Sequence, residues 1–313
     1  MEEQKNFFKI LDELCIEKNI EQKMLSYDWI RELEKENKIR NMINYQFDLN
    51  TASSCRIASD KFATYEVLNR NNIPIILHRM LFNPVSREKY YDLKFLHEAK
   101  ELLKMSNNQV VIKANDSCKG KDVYLCRNEK EIEEKVQMLF EQGNDTLSAC
   151  PYIEIEYEYR VIYLCGEILY IYKKKKPFVI GNGINSIEDL INLKFSDKSV
   201  QLDLCQNIDM NYIPQKGENI IISWKHNLNG GAEALFVDES DEFLSKVKDI
   251  AISAGKAINI NFASIDIALT NKKEVFVMEI NSSVCMNKFS EIMPNGYEIS
   301  KQIYSKAIDK MFE

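Results

Sequence analysis

Two short runs decide how this chain is read: Ser264-Ile265-Asp266-Ile267-Ala268-Leu269 and Val275-Phe276-Val277-Met278-Glu279-Ile280-Asn281, joined by Asn271-Lys272-Lys273-Glu274. Both are rich in β-branched and aromatic residues, and the polar linker between them predicts a hairpin. If residues 270 and 275 close the loop, Asp266 lies directly opposite Glu279, and Asn281 shares the face of Glu279. The other face then carries Ile265, Ile267, Phe276, Met278 and Ile280 as core. Two carboxylates directly opposite each other repel. A hard divalent cation between them reverses that sign, and Asp, Glu and Asn oxygens are ligands that magnesium takes. Without a metal, the same residues are an exposed polar face paired by accident.

Glycine narrows the field around that hairpin. The chain has 10, and none precedes Gly120. There is no G-x-G-x-x-G, no G-x-x-x-x-G-K-[ST] and no G-x-S-x-G, which removes the usual dinucleotide-binding, P-loop and serine-hydrolase readings. Val110-Val111-Ile112-Lys113 has the look of a kinase lysine strand, but no glycine loop lies upstream and H-R-D and D-F-G are absent. The net charge of −7 disfavours nucleic acid as a partner. No apolar run approaches the roughly 18 residues of a membrane span, and MEEQKNFFKI is not a signal peptide. The eight cysteines are scattered without a C-x-x-C, as reduced thiols would be. The expectation is a cytoplasmic protein with no membrane partner.

The length of 313 residues suggests about two domains. Along the chain, Phe7, Ile10, Leu11 and Leu14 fit an amphipathic helix. Residues 20–50 read as short strands with a helical turn near Trp29. Asp60 caps a helix from Lys61 to about Asn71, and Pro74 enforces an extended exit. A helix near 92–105 leads into the strand Gln109–Lys113, a loop over 114–122, and the strand Val123–Cys126. Glu129–Gln142 is helical. Strands follow near 151–156, 158–165 and 167–175, then a helix at Asp241–Ile258, the hairpin, and a last helix from about 297 to 312. Hairpins interleaved with single helices predict an α+β fold.

Lysine gives the second signal. Lys113 ends an apolar strand and opens a loop of small polar residues containing Lys119 and Gly120, which suits phosphate; a snorkelling surface lysine explains it equally well. Lys61 begins a helix, where an anion meets free N–H groups. The run Lys173–Lys176 ends a strand, so alternation points two lysines each way; a solvated face is the ordinary explanation. Lys225-His226-Asn227-Leu228-Asn229-Gly230-Gly231 sets a flexible loop beside a base and an imidazole, or is a plain turn.

Taken in order, Ser59-Asp60-Lys61, Ile73-Pro74, Val110-Val111-Ile112-Lys113, Glu158-Tyr159-Arg160, Asn227-Leu228-Asn229-Gly230-Gly231, Asp266 and Met278-Glu279-Ile280-Asn281-Ser282-Ser283 resemble the ATP-grasp superfamily. The nearest likeness is to amino-acid ligases related to cyanophycin synthetase, the ribosomal-protein glutamate ligases and the fused bacterial glutathione synthetases, over roughly residues 45–300. The resemblance implies an ATP-grasp domain over 56–313, with two α+β subdomains clasping ATP and a lid subdomain near 100–150, preceded by a short reduced N-terminal region over 1–55. It implies ATP with magnesium, or manganese in its place. Lys61 and Lys113 match the phosphate-holding lysines, and Lys119 and Gly120 the loop that closes over them. Tyr152, Ile153 and Glu154 match the adenine-contacting hinge, and Glu158 the ribose-binding acid. Asp266, Glu279 and Asn281 match the metal ligands. Arg160, Lys225 and one lysine of the 173–176 run, here Lys175, match basic residues at the phosphates or substrate carboxylate, and Asn227 a loop near the reacting centre.

The sequence departs from the family in its lid loop, where Gly120 is the sole glycine, at Cys150-Pro151-Tyr152 in the hinge, and at Val284-Cys285, where proline-glycine is frequent. The implied activity is an ADP-forming carboxylate–amine ligase acting on amino acids or a peptide, in a chain that is commonly a homodimer. The alternatives are an ATP-grasp enzyme that modifies a peptide or protein side chain, a nucleotide-binding protein that has lost catalysis, and, third, a phosphotransferase. Asp266→Asn is expected to abolish turnover and leave the fold intact.

Overall fold

The computed structural model describes residues 4–85, 94–116, 122–195, 200, 202–205 and 208–313. In chain order these form α1 (Asn6–Glu17), β1 (Glu21–Leu25), β2 (Ile30–Lys35), β3 (Lys38–Ile43), α2 (Ala52–Ser59), α3 (Lys61–Arg70), β4 (Arg79–Phe82), α4 (Lys94–Met105), β5 (Val110–Ala114), β6 (Val123–Cys126), α5 (Glu129–Glu141), β7 (Thr146–Pro151), β8 (Ile155–Leu164), β9 (Glu167–Lys175), β10 (Phe178–Ile180), α6 (Ile187–Lys194), β11 (Asn219–Ile221), β12 (Glu233–Phe236), α7 (Leu244–Ala257), β13 (Phe262–Thr270), β14 (Val275–Asn281), α8 (Asn287–Ile292) and α9 (Gly296–Phe312).

Two antiparallel sheets frame the molecule. One has five strands in the order β12-β9-β8-β13-β14; the other has four, β4-β7-β5-β6. The four-stranded sheet covers its outer face with α4 and α5, whose Ala99, Leu102, Leu103, Ile132, Val136 and Leu139 form one core with Leu81, Ile112 and Ala149. β4 pairs with β7, so this sheet also takes in residues 79–82. The back of the five-stranded sheet is covered by α7, α2 and α3 through Val247, Ile250, Ala251, Ala254, Ala58 and Leu68. Its front face changes character along β13. Phe262 joins a core built by α1, β1–β3, α8 and α9, with Phe7, Leu11, Leu33, Tyr304 and Ile308. Asp266 is next but one after Ser264, and Ala268 then joins a separate apolar layer with Phe276, Ile76, Val111 and Cys150. The N-terminal segment from Phe7 to Phe47 thus shares a core with the last two helices.

Several local forms differ from the sequence reading. The turn near Trp29 is left-handed, with Ser26, Tyr27 and Asp28 all at positive φ, and so is no helical turn. The strand expected at 151–156 is split: β7 ends at Pro151 and β8 starts at Ile155. Residues 52–59 form a helix whose N-cap, Thr51 Oγ1, accepts from Ser54 N at 3.2 Å; so short a helix with so few apolar residues carries almost no periodic signal. Asp60 caps α3 as expected, its Oδ1 accepting from Ala63 N at 2.8 Å.

The hairpin β13–β14 pairs Asp266 with Glu279 and Ser264 with Asn281. Nearer the loop, however, Leu269 pairs with Val275 and Ala268 with Phe276, and a bulge between Asp266 and Ile267 absorbs the one-residue offset. Met278 is the extra residue. The bulge reverses alternation along β14. Val275 and Val277 go to the back core, while Phe276 and Met278 face the front layer. Phe276 is thus buried as expected but in the front layer, on the opposite face from Ile265 and Ile267, and Met278 is only partly buried against that layer.

Candidate active site

The front of the five-stranded sheet carries its charges in rungs. On one rung Asp266 pairs with Arg160 of β8 and Glu279 of β14, and Arg160 pairs with Tyr172 of β9. On the next, Ala268 pairs with Glu158 and Phe276, and Glu158 with Lys174. Arg160 clasps Asp266 in a bidentate bridge, Nε donating to Oδ1 at 2.7 Å and Nη2 to Oδ2 at 2.5 Å. Lys174 Nζ donates to Asp266 Oδ1 at 3.3 Å and is ion-paired with Glu158. Asn281 Nδ2 donates to Glu279 Oε1 at 3.1 Å. Asp266 and Lys174 are both buried, at 2% and 4% exposed.

Burial opposes ionisation of Asp266, but the Arg160 guanidinium and Lys174 ammonium outweigh it and hold the carboxyl well below its ordinary range. One rung away the balance tips the other way. Burial pushes Glu158 up to about 7 although Lys174 lies against it, and the Asp266 charge adds to the rise. The two carboxyls thus differ in their readiness to hold a proton.

Among the described residues no group of three or more His, Cys, Asp or Glu is placed to hold a metal. The row Asp266, Glu279 and Asn281 offers two carboxylates and an amide, a donor set that suits a hard oxygen-seeking cation. A cation there would share the Asp266 oxygens with Arg160 and Lys174.

The four-stranded sheet contributes a second polar group. Lys113 follows Val111 on the same face of β5, just as Asp266 precedes Ala268 on β13, so both charges flank the apolar layer between the sheets. Asn115 ties Lys61 to this strand end: Lys61 Nζ donates to Asn115 O at 3.2 Å, and Asn115 Oδ1 accepts from Phe62 N at 3.2 Å. Ser148, opposite Lys113, lies 2.6 Å from His78 Nδ1. His78 is buried, and burial together with Lys113 and Lys61 holds its ring neutral.

The layer is closed by two chain crossings. Ile75 bridges Val277 in parallel before β4 begins, and Tyr152-Ile153-Glu154 joins β7 to β8. Tyr152, Ile153, Trp224 and Met278 pack around the layer, and Tyr152 meets Trp224 edge-on at 5.7 Å. Glu154 accepts from Tyr152 Oη at 2.7 Å and is ion-paired with Lys176. The whole arrangement is an apolar layer packed between two sheets, with Lys113 beside it on one sheet and the acidic row, together with Arg160 and Lys174, on the other. An apolar layer flanked by such charges suits a flat base carrying a phosphate chain.

The structure gathers Arg160, Glu158, Asp266, Glu279 and Asn281 on one face, and Lys61 with Lys113 on another. Lys175 is not among them: its ammonium sits 4.1 Å over the Phe178 ring, whereas Lys174 reaches Glu158 and Asp266, Lys176 reaches Glu154, and Lys173 pairs with Asp241. Alternation predicted two lysines each way but not which pair. Lys225 is ion-paired with Asp203. Asn227 Oδ1 accepts from Asn229 N at 3.1 Å, closing its own turn. Neither contact turns these two toward Asp266. Lys119 and Gly120 lie outside the described residues. Sequence reasoning left out Lys174, Lys176, Phe276 and His78. For the aromatic no signal existed without the bulge.

A model of the RimK-like ATP-grasp domain matches residues 222–306, which include the hairpin and its acidic row. The bifunctional glutathione biosynthesis protein GshAB of Clostridium perfringens is 23% identical over 240 residues, covering 70% of this chain and 29% of its own. The crystal structure of a bifunctional glutathione synthetase from Pasteurella multocida superposes with a TM-score of 0.56 at 17% identity, over 96% of this chain and 43% of that one. The D-alanine–D-alanine ligase of Bacillus anthracis gives 0.55 at 17% identity, over 84% and 69%. The chain thus spans less than half the length of either glutathione-forming relative. No helix among the described residues is long and apolar enough to cross a membrane. Residues 222–306 carry a RimK-like ATP-grasp domain, and the two sheets that enclose the apolar layer have the ATP-grasp fold.

Proposed function

We propose that the protein is an ATP-dependent carboxylate–amine ligase that releases ADP and phosphate, with amino acids or a peptide as substrates. One observation carries the reading: the row Asp266, Glu279 and Asn281 shares a sheet face with an apolar layer whose opposite wall bears Lys113. A base in that layer would leave its phosphates between two lysines and the acidic row. We also take residues 1–55 as the reduced N-terminal region, 56–313 as the ATP-grasp domain, and the four-stranded unit as its lid.

In this mechanism a substrate carboxylate oxygen attacks the γ-phosphorus, and the bond from that phosphorus to ADP breaks. Negative charge builds on the phosphoryl oxygens, where Lys61 and Lys113 stabilise it. Magnesium held by Asp266, Glu279 and Asn281 would supply further charge neutralisation. The amine nitrogen then attacks the acyl phosphate carbon, the C–N bond forms, phosphate leaves and the amine gives up a proton. Arg160 holds Asp266 in place with a fixed two-pronged geometry. The packed sheets exclude water that would otherwise hydrolyse the acyl phosphate.

The test is ADP release from ATP and magnesium against pooled amino acids and short peptides, with mass spectrometry of the products. ADP that depends on particular pools, with a product one water lighter than its two components, supports ligation. Pool-independent ADP with no condensed product refutes it.

A further inference from the structure

Helix α3 packs on the back of the five-stranded sheet, yet the four-stranded sheet caps it. A helix start leaves four N–H groups without an intrahelical partner. At α3 these belong to Asp60, Lys61, Phe62 and Ala63, and all four are taken. Asp60 N donates to Ile57 O at 3.1 Å, and Ala63 N to the Asp60 carboxylate at 2.8 Å. The other two bonds cross to the end of β5: Lys61 N donates to Asn115 O at 3.3 Å, and Phe62 N to Asn115 Oδ1 at 3.2 Å. An anion therefore finds no free N–H groups at this helix start, contrary to the expectation from sequence, and only the Lys61 side chain is left to meet it.

The same residue directs that side chain, since Lys61 Nζ donates to Asn115 O at 3.2 Å. Asn115 is buried, and its own N–H donates to Thr146 O of β7 at 3.3 Å. Two residues back along β5 is Lys113. The two ammonium groups lie near the same neighbours. Burial, and then both lysines, hold the His78 ring neutral. Burial pushes the Cys150 thiol up, and the same two charges oppose the rise. Like charges held side by side repel, and both lysines are buried, so salt and water screen them little. A polyanion between them removes the repulsion. Without a link, the helix carrying one lysine would draw away from the strand carrying the other, and Asn115 is that link.

We propose that Asn115 is a positioning residue for phosphate: its side-chain amide and backbone carbonyl hold Lys61 beside Lys113, so that the two ammonium groups meet one phosphate chain together. This deepens the ligase reading and rests on it only for the presence of a nucleotide between the sheets.

The test is equilibrium binding of ATP with magnesium, and of adenosine, to the full chain by calorimetry, for the wild type, Asn115→Leu, Lys61→Met and the double variant. Asn115→Leu keeps the size of the side chain and removes the acceptor for Phe62 N. It should weaken ATP about tenfold, the worth of one charge-assisted hydrogen bond, and leave adenosine unchanged. Lys61→Met should weaken ATP at least as much, and adding Asn115→Leu to it should cost no more than about twofold. Circular dichroism shows that each variant is folded. If Asn115→Leu is not, Asn115→Ser, whose hydroxyl is too short to reach Phe62 N, takes its place. ATP bound at wild-type strength by a folded Asn115 variant overturns the assignment. So does an equal loss for ATP and adenosine, the mark of a merely structural role. A full second loss of about tenfold in the Lys61→Met background overturns it too, because Asn115 would then act other than through Lys61. A wild type that binds neither ATP nor adenosine overturns the ligase reading itself, and the assignment with it.

Discussion

Asp266→Asn separates structure from chemistry at this site. Asp266 is 2% exposed and takes a bidentate bridge from Arg160 and a 3.3 Å contact from Lys174. Removing one partner of a buried ion pair costs roughly 3–5 kcal/mol, because the other charge stays buried. The lower end applies here: Lys174 keeps Glu158, and the asparagine oxygen still accepts one guanidinium N–H. About 3 kcal/mol is a large share of the 5–15 kcal/mol that holds a folded protein together. With a urea slope of about 3 kcal/mol/M, the unfolding midpoint falls by about 1 M. The expectation from sequence that this variant leaves the fold intact is thus revised. Glu279→Gln is the matched control, since its oxygen can still accept from Asn281 and its stability should change by less than about 1 kcal/mol. Urea unfolding followed by fluorescence of Trp29 and Trp224, alongside ADP release, reads both effects. Both variants should lose turnover, and only Asp266→Asn should shift the midpoint. An unshifted Asp266→Asn refutes the buried clasp, and normal turnover in Glu279→Gln refutes the metal row.

Phe276→Ala empties the floor of the apolar layer; it should cost about 3 kcal/mol of stability and weaken ATP binding, as seen by melting and calorimetry. Gly255→Ala sets a Cβ 2.6 Å from Tyr163 Cζ, pushing α7 off β8, and should lower stability by about 1–3 kcal/mol in urea. Asp241 sits under Lys173 and accepts from Phe243 N at 2.9 Å and Tyr159 Oη at 3.0 Å. Burial opposes its ionisation, but these partners hold its carboxyl below the ordinary value. Its contribution is full above the unfolded carboxyl value of about 4 and is lost as pH falls below it. The wild-type midpoint should therefore drop more steeply from pH 5 to pH 3 than that of Asp241→Asn.

The sequence was most legible where alternation and loop length act together. Asp266 opposite Glu279 follows from the hairpin alone, yet the agreement needs two departures that cancel: the loop closes one residue earlier than expected, and the bulge at Met278 restores the register. The same bulge hid the role of Phe276, since a period of two cannot show where it changes phase. The lysine run shows the same limit in another form. Its alternation was readable, but its phase depends on β9 pairing with β8, a contact between residues far from the hairpin. Lys225 and Asn227 stand out only by resemblance: the ion pair of Lys225 with Asp203 joins residues 22 apart in the chain, and the bond from Asn229 N to Asn227 is a local turn, neither of which spacing encodes.

The bulge also bears on how this strand tolerates change. Val275 and Val277 anchor β14 in the back core, and Ile280 anchors it again beyond Met278. Deleting Met278 would restore simple alternation and keep Phe276, Glu279 and Asn281 on the front, with Val275, Val277 and Ile280 still in the back core. The aromatic floor and the carboxylate row therefore withstand the loss of that one residue. An insertion within 271–274 would disturb neither. Length variation in the hairpin should thus collect in its loop and at Met278.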